Sequence, residues 1–488
     1  MKNYKPLRNV SRRRFLALGG GAMAAAAGLS ALPVNRVLAY NDLLAPNQAT
    51  LPLTFDMVAT DGWIALPGSL NPIPGVTTSY YPDPYAAANG NQQGQTTYIF
   101  GFRQVPTGTD PLSLKGQAQA SAPLLYVNEN TDVTIRLTNA GLQQRPDLVD
   151  SHTIHWHGFR NAIPLFDGVP EMSISVPIGQ NFTYYYKPIN PGTYMYHCHF
   201  EDVEHVHMGM TGVIFVRALQ NTGMMRSNPA DPINSTLVPA VDSTNTPIPL
   251  ARLAGGPASS PLGYVYNDGL QPTDPNSSAY DREFTIFLSE VWAKAHYNDA
   301  HIQPTDWSEY APDFWLMNGR CYPDTLAPSS NPLVAPSDPR LQFQPISSLV
   351  TANEGEKVLL RAVSLGYQQS SLNITGIDLR LVGKDAVFLR SNTDEALRTG
   401  IPRINPVNTE FSTNTIYIGP GESVDAIFIA PTFSGGTGTS GLGYDTYLFY
   451  NRNFANSTSG SSSSYGGQMT EIRIYPAGTL QSQTAPNY

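Results

Sequence analysis

Only two of the 488 residues are cysteine, and only 14% carry a charge. The first shortage excludes a disulfide framework: Cys198 sits between two histidines, where a ligand role is expected, and Cys321 is left without a partner. Cys321 reads as a buried small hydrophobe in the turn Asn318-Gly-Arg-Cys-Tyr-Pro323. A long amphipathic period of helical spacing is also missing, which argues against a helical bundle. In its place stand 41 Gly and 41 Pro, the mark of many turns joining short strands. Runs such as Thr131-Asp-Val-Thr-Ile-Arg-Leu137, Phe182-Thr-Tyr-Tyr-Tyr-Lys187, Val358-Leu-Leu-Arg-Ala-Val363 and Thr415-Ile-Tyr-Ile418 are β-branched or aromatic and bounded by Gly, Pro or Asn. The chain is therefore expected to be all-β, in sandwich domains.

Positive charge is scarce after residue 39. The segment 1–39 holds seven basic residues and no acid, so the formal charge falls from −9 to −16 without it. Within it, Ser11-Arg-Arg-Arg-Phe-Leu16 precedes a Gly/Ala-rich stretch that ends at Val37-Leu-Ala39, which resembles a twin-arginine export signal. That stretch is too rich in Gly and Ala for a transmembrane helix, so no stable membrane insertion is expected. A chain this acidic excludes nucleic acid and anionic membrane surfaces as partners. The expectation is a periplasmic or secreted protein.

Seven of the nine histidines and Cys198 fall between His152 and His207, in two strings. One is His152-Thr-Ile-His155-Trp-His157-Gly158; the other is Tyr196-His197-Cys198-His199, followed by His205-Val-His207-Met-Gly-Met210. A thiol, imidazoles and a thioether in one stretch suit copper, since Cys and Met are soft ligands and imidazole serves both oxidation states. The remaining chain is nearly bare of such ligands.

A Pro-, Ser-, Asn- and Thr-rich stretch at 220–281 reads as a linker or excursion between a copper-binding domain at 50–219 and a second domain at 282–480. The two halves read as a repeat. His152-Thr-Ile-His155-Trp-His157-Gly158 falls on Ser370-Ser-Leu-Asn373-Ile-Thr375-Gly376, and Gly192-Thr-Tyr-Met-Tyr-His197-Cys198-His199 falls on Asp445-Thr-Tyr-Leu-Phe-Tyr450-Asn451-Arg452. Every candidate ligand is lost in the second copy.

These strings, with the turns Asp167-Gly168-Val-Pro170 and Gly419-Pro-Gly-Glu-Ser-Val-Asp425, resemble those of multicopper oxidases from about Pro123 to Ile474. The resemblance implies two cupredoxin-like Greek-key β-sandwich domains in tandem. It implies a type 1 copper held by His152, Cys198, His205 and the axial Met210, with His207 and Met208 as competing ligands. The five residues Phe200-Glu-Asp-Val-Glu204 lengthen the ligand loop relative to the family's usual pattern, and this resembles copper nitrite reductases. His155, His157, His197 and His199 match half of a trinuclear copper cluster, a second site of type 2/3 character. The missing half is sought in a partner subunit of a homo-oligomer. His296 and His301, in Ala295-His-Tyr-Asn-Asp-Ala-His301, read as ordinary loop histidines, with intersubunit ligation the other reading. The implied function is an exported copper oxidoreductase that takes electrons from a small molecule, a metal ion or a redox protein. The alternatives are a type 1 electron carrier without its own catalytic centre and a copper-binding or assembly protein.

Overall fold

Alternation of apolar with polar side chains lays one face of each strand into a core, and two such sheets stacked face to face make a sandwich. The computed structural model describes residues 53–67, 80, 83–88, 96–160, 162–227, 235–330, 338–390, 408–436, 443–458 and 466–488. The export-signal segment lies outside the described residues. Leu53–Tyr488 form one unit, in which the sandwich is built twice.

The first sandwich comprises β1 (Leu53–Ala65), β2 (Thr96–Gln104), β3 (Leu125–Asn128), β4 (Val133–Asn139), β5 (His155–His157), β6 (Asn181–Tyr186), β7 (Gly192–His197) and β8 (Thr211–Arg217). One sheet runs β2-β1-β4-β6 and the other β3-β8-β7-β5. Between them lie Tyr98, Phe100, Ile135, Leu137, Trp156, Tyr184, Tyr196 and Ile214, together with Cys198 and Met210.

The stretch expected as an excursion holds four short strands, β9 (Met224–Arg226), β10 (Leu237–Pro239), β11 (Gly263–Tyr264) and β12 (Ala279–Tyr280). It has a small core of its own around Ala240, Ile248, Ala251 and Tyr264. The buried Glu129 carboxylate pins it to the first sandwich by accepting from Arg226 Nε at 3.1 Å and Asn267 Nδ2 at 2.7 Å.

The second sandwich holds β13 (Arg282–Val291), β14 (Phe314–Met317), β15 (Val350–Asn353), β16 (Lys357–Ser364), β17 (Ser370–Ile374), β18 (Leu379–Lys384), β19 (Val387–Phe388) and β20 (Phe411–Thr413). It is completed by β21 (Thr415–Ile418), β22 (Ser423–Ile429), β23 (Asp445–Asn451) and β24 (Met469–Tyr475). Its sheets run β14-β13-β16-β22-β18-β19 and β15-β24-β23-β17-β21. The pairing repeats the first copy: β1 with β4 and β13 with β16 are parallel, as are β3 with β8 and β15 with β24.

A buried charge network fastens the copies together. Arg361 reaches Glu283 at 3.2 Å and Asp425 at 3.3 Å, and it donates to Thr193 Oγ1 on β7 at 3.0 Å. Each carboxylate there is paired and hydrogen-bonded, the condition under which buried charge is tolerated. Cys321 is buried in the apolar contact between the copies, beside Val291 and Leu316, and neither cysteine forms a disulfide. No helix among the described residues is long and apolar enough to cross a membrane.

Candidate metal centre

Three backbone devices bring distant ligands into one cage. His152 is held in a bridge with Val176, N to O 3.1 Å and back 2.8 Å. Cys198 follows the last residue of β7 and donates its N–H to Met210 O at 3.1 Å, which sets Met210 beside it at the start of β8. Between them the helix Asp202–Met208 carries His205 inward, and Gly209, at φ 117°, turns the chain so that Met210 N reaches His205 O at 2.9 Å. A side chain at Gly209 would be strained by that φ and would press on Phe100 O at 2.9 Å.

In the cage, Cys198 Sγ lies 3.3 Å from His205 Nδ1 and 3.9 Å from His152 Nδ1. One ligand atom from each of the three falls within 4.8 Å of the others. All three residues are buried, as are Met208 and Met210. Thr153 donates its N–H to the sulfur at 3.4 Å. Burial, and then the charge of His205, hold His152 well below the ordinary imidazole pKa, so it presents a neutral ring. His205 goes the other way. Burial lowers it, but the Asp150 carboxylate and the Cys198 sulfur outweigh that and hold it up at about 10. A proton on His205 thus stands in for the positive charge that a metal beside this sulfur would supply.

His207, expected to compete for this cage, is turned away from it. Residues two apart on a helix point to nearly opposite sides. His207 Nε2 accepts Trp292 N–H at 3.1 Å, and the ring packs on His296, Trp307, Tyr310 and Tyr367.

The second cluster forms on β5 and β7, where antiparallel pairing sets His155 opposite His197. His155, His157 and His197 each offer a nitrogen within 4.8 Å of the others. The His199 ring stands 5.2 Å from His155 and 5.5 Å from His197. His155 Nδ1 lies 2.6 Å from Asp167 O, and His197 Nδ1 lies 2.8 Å from Cys198 O. Donation from each Nδ1 leaves the Nε2 lone pair for a metal ion, as in metal-binding histidines whose other ring nitrogen is tied to a carbonyl. His157 Nδ1 and His197 Nε2 are 3.3 Å apart. That is about the span of two imidazole nitrogens sharing one cation at roughly 2.0 Å each. Burial, followed by the neighbouring rings and set against the Cys198 O contact, drives His197 down to about 3. Burial likewise lowers His155 and His157.

The second copy approaches this cluster with a glycine turn. Gly421, at φ 76°, would place a Cβ 3.4 Å from His157 Nε2. Neither remaining histidine is a loop residue of the expected kind. His296 is buried on the helix Ala293–Ala300, and its Nδ1 is 2.5 Å from Tyr98 O. His301 caps that helix, stacked between Tyr85 and Tyr297, with Nε2 2.8 Å from Asp83 Oδ1.

Two groups were missed in the sequence. Asp150, 3.7 Å from His205 Nε2, is only two residues before His152, a spacing that could have drawn attention to it. The other is Ser370, Asn451 and Gln468 of the second copy. Asn451 Nδ2 donates to Ser370 Oγ at 3.1 Å and to Gln468 Oε1 at 2.8 Å, all three residues being buried.

Residues 115–221 match the family model for multicopper oxidases. A multicopper oxidase of Talaromyces pinophilus is 31% identical over 136 residues, 27% of this chain and 21% of that one. A laccase of Emericella nidulans is 32% identical over 98 residues, 20% of this chain and 14% of its own. The matched region thus spans about a fifth or less of these curated relatives. Among solved structures, a blue copper oxidase from Nitrosomonas europaea aligns at 19% identity over 86% of both chains, with a TM-score of 0.48. A copper nitrite reductase from the same organism aligns at 16% identity over 90% of this chain and 98% of its own, with a TM-score of 0.47. The matched stretch contains all eight candidate ligands, and over it the chain is similar to multicopper oxidases.

Proposed function

We propose that the protein is an exported copper-dependent oxidoreductase. His152, Cys198 and His205, with Met210 as axial ligand, would hold a type 1 copper, and His155, His157, His197 and His199 would hold copper in the second cluster. Two imidazoles and a thiolate beside a thioether form the donor set of a blue-copper site, and paired imidazoles suit a type 2/3-like one. Bound there, copper would supply one-electron exchange with a donor and the site at which an acceptor is reduced. The chain's own part is to join the two places. Cys198 provides the sulfur of the cage, while its covalent neighbours His197 and His199 turn their rings into the cluster. This single juxtaposition carries the reading, because an electron arriving at the sulfur has a through-bond route to either imidazole.

The helix Asp202–Met208 closes the cage against water, and Thr153 N–H holds the sulfur. Asp167 O and Cys198 O fix the ring orientation of His155 and His197. The partner is an electron donor of small-molecule, metal-ion or redox-protein kind. A homo-oligomer could bring further ligands to the cluster, and the Arg-Arg-Arg-Phe-Leu segment at 12–16 would direct export.

Copper stoichiometry with absorption and electron paramagnetic resonance spectra tests this. Two or more coppers per chain, with a thiolate charge-transfer band that Cys198→Ser abolishes and Cys321→Ser leaves, is the expected result. One coloured copper with an empty histidine cluster would make the protein an electron carrier, and labile colourless copper would make it a buffer.

A further inference from the structure

The histidine cluster stands in the seam between the two copies. Alternate residues of β7 point to opposite faces of the sheet. Tyr194 and Tyr196 enter the first core, whereas Thr193 bonds Asp425 and Met195 packs with Phe287, Val363 and Leu365 of the second copy. His197 continues that outer row. Pairing sets His155 opposite His197 and His157 opposite Met195, while Trp156 between them lies in the core. All three rings therefore leave the first sandwich on the side that the second copy covers. His197 is buried there, but His155, His157 and His199 are half-buried, so the cluster meets solvent along the seam.

The second copy faces the cluster with backbone. Its turn at 419–422 is tied down by Gly421 N–H on Ser364 O at 2.8 Å and Gly419 N–H on Glu422 Oε2 at 2.8 Å. The Ser423 hydroxyl adds a bond to Thr193 O at 2.6 Å, across the seam. Half-buried Gly421, at φ 76°, looks at the outward edge of His157, where a Cβ would stand 3.4 Å from Nε2 and 3.5 Å from Cε1. One methyl group would thus just touch the ring, and a larger side chain would fill the space in front of it. The inward edge is the metal edge. His157 Nδ1 lies 3.3 Å from His197 Nε2, so a cation between them takes His157 through Nδ1 and leaves an N–H at Nε2.

We propose that Gly421 is a specificity-determining residue for the cluster. Its missing side chain keeps open a passage about one atom wide, through which a small inorganic acceptor of two or three heavy atoms reaches the metal position past the His157 N–H. The proposal rests on reading the cluster as a copper site. The turn that carries Gly421 belongs to the copy without ligands, so that copy contributes to the site by shape alone.

The test titrates the copper-loaded full-length chain with two anions that bind copper(II), monatomic fluoride and triatomic azide, read by electron paramagnetic resonance. Overfilling a packed gap is costly enough that Gly421→Val should lower the ratio of azide to fluoride affinity by about tenfold. Gly421→Ala should fall between Gly421→Val and the wild type, and the thiolate band should stay in both. Gly355→Ala is the control for backbone strain, since Gly355 has φ 80° and nothing within 4 Å of its Cβ position; it should match the wild type. Equal losses for both anions in Gly421→Val, or no loss for either, would overturn the proposal. In the copper-free chain, carbethoxylation of His157 by diethyl pyrocarbonate reads the same passage without a metal. Gly421→Val should slow it, and an unchanged rate would again overturn the role of Gly421. Absence of copper from the cluster in the wild-type protein would sink the copper reading instead, and the carbethoxylation rate would still decide whether Gly421 governs access.

Discussion

The two sandwiches solve one packing problem with different chemistry. In the first, His155 on β5 pairs across with His197 on β7; in the second, Asn373 on β17 pairs with Tyr450 on β23. Cys198 N donates to Met210 O at 3.1 Å, and Asn451 N donates to Gln468 O at 2.9 Å. His152 bridges Val176 just as Ser370 pairs with Ile418. The cage His152, Cys198 and Met210 therefore occupies the place of Ser370, Asn451 and Gln468, where two side-chain hydrogen bonds close the gap. Polar groups that the sandwich buries at this spot need partners, and an amide triad supplies them from within the chain. The fold does not need the metal there. The first copy carries candidate ligands instead, joined by the contacts of Cys198 Sγ with His205 and His152, while His152 Nε2 and His205 Nε2 are buried without hydrogen bonds.

Removing copper should separate the copies most. An ion that binds only the folded state, at a free concentration a thousandfold above its Kd, stabilises by about 4 kcal/mol. Exhaustive chelation should therefore destabilise the first sandwich by that order. Hydrogen exchange would show the loss in the described part of residues 152–210, with protection in 370–374, 445–451 and 469–475 retained. Uniform loss across both copies would mean that they unfold as one body and that the triad confers no independence.

The reciprocal experiment weakens the second copy alone. Asn451→Leu strands Ser370 Oγ and Gln468 Oε1 and removes the acceptor for Asn453 N–H at 3.0 Å. Unsatisfied buried groups of this kind cost about 1–3 kcal/mol each, so a destabilisation of about 3 kcal/mol in denaturant is expected, with copper content unchanged. Lost copper would show that the copies are coupled through the Arg361 network rather than independent.

The strands and the ligand strings were legible because their signals are local. The run Val358–Val363 lies inside β16, the run Thr415–Ile418 is β21, and seven of the eight candidate ligands crowd into two tripeptides, His155-Trp-His157 and His197-Cys-His199, and their flanks His152 and His205. Alignment of the repeat by eye even reproduces the observed pairing of Asn373 with Tyr450. What stayed hidden depends on direction or on distance in sequence. A short helix, not a loop, turns His207 out of the cage, and nothing in Glu204-His-Val-His207 announces it. The Ser370 and Asn451 partners are 81 residues apart. The segment Ala293–Ala300, with its Asn and Asp, reads as a loop but is helical because Ala293, Ala295, His296 and Ala300 bury against their surroundings.

That helix offers the finest distinction between the copies' histidines. In the candidate ligand strings a buried neutral imidazole would have a metal to meet, whereas His296 meets the Tyr98 carbonyl and the His207 ring. Burial pushes His296 down to about 4 even against that hydrogen bond. An unfolded chain would titrate it near about 6.5. Between those values the unfolded state binds the extra proton, so the contribution of this group to stability is intact above about 6.5 and drains away as pH falls towards the folded value. From pH 8 to pH 5 the loss from one such group is about 2 kcal/mol. His296→Leu should therefore give a shallower acid limb in the copper-free protein, measured as unfolding free energy relative to its own value at pH 8. His207, lowered in the same direction by burial and by His296, would retain part of the slope. An acid limb of unchanged steepness in His296→Leu would mean that His296 is not held neutral by the fold, and that the two kinds of buried histidine are not distinguished by what they have to meet.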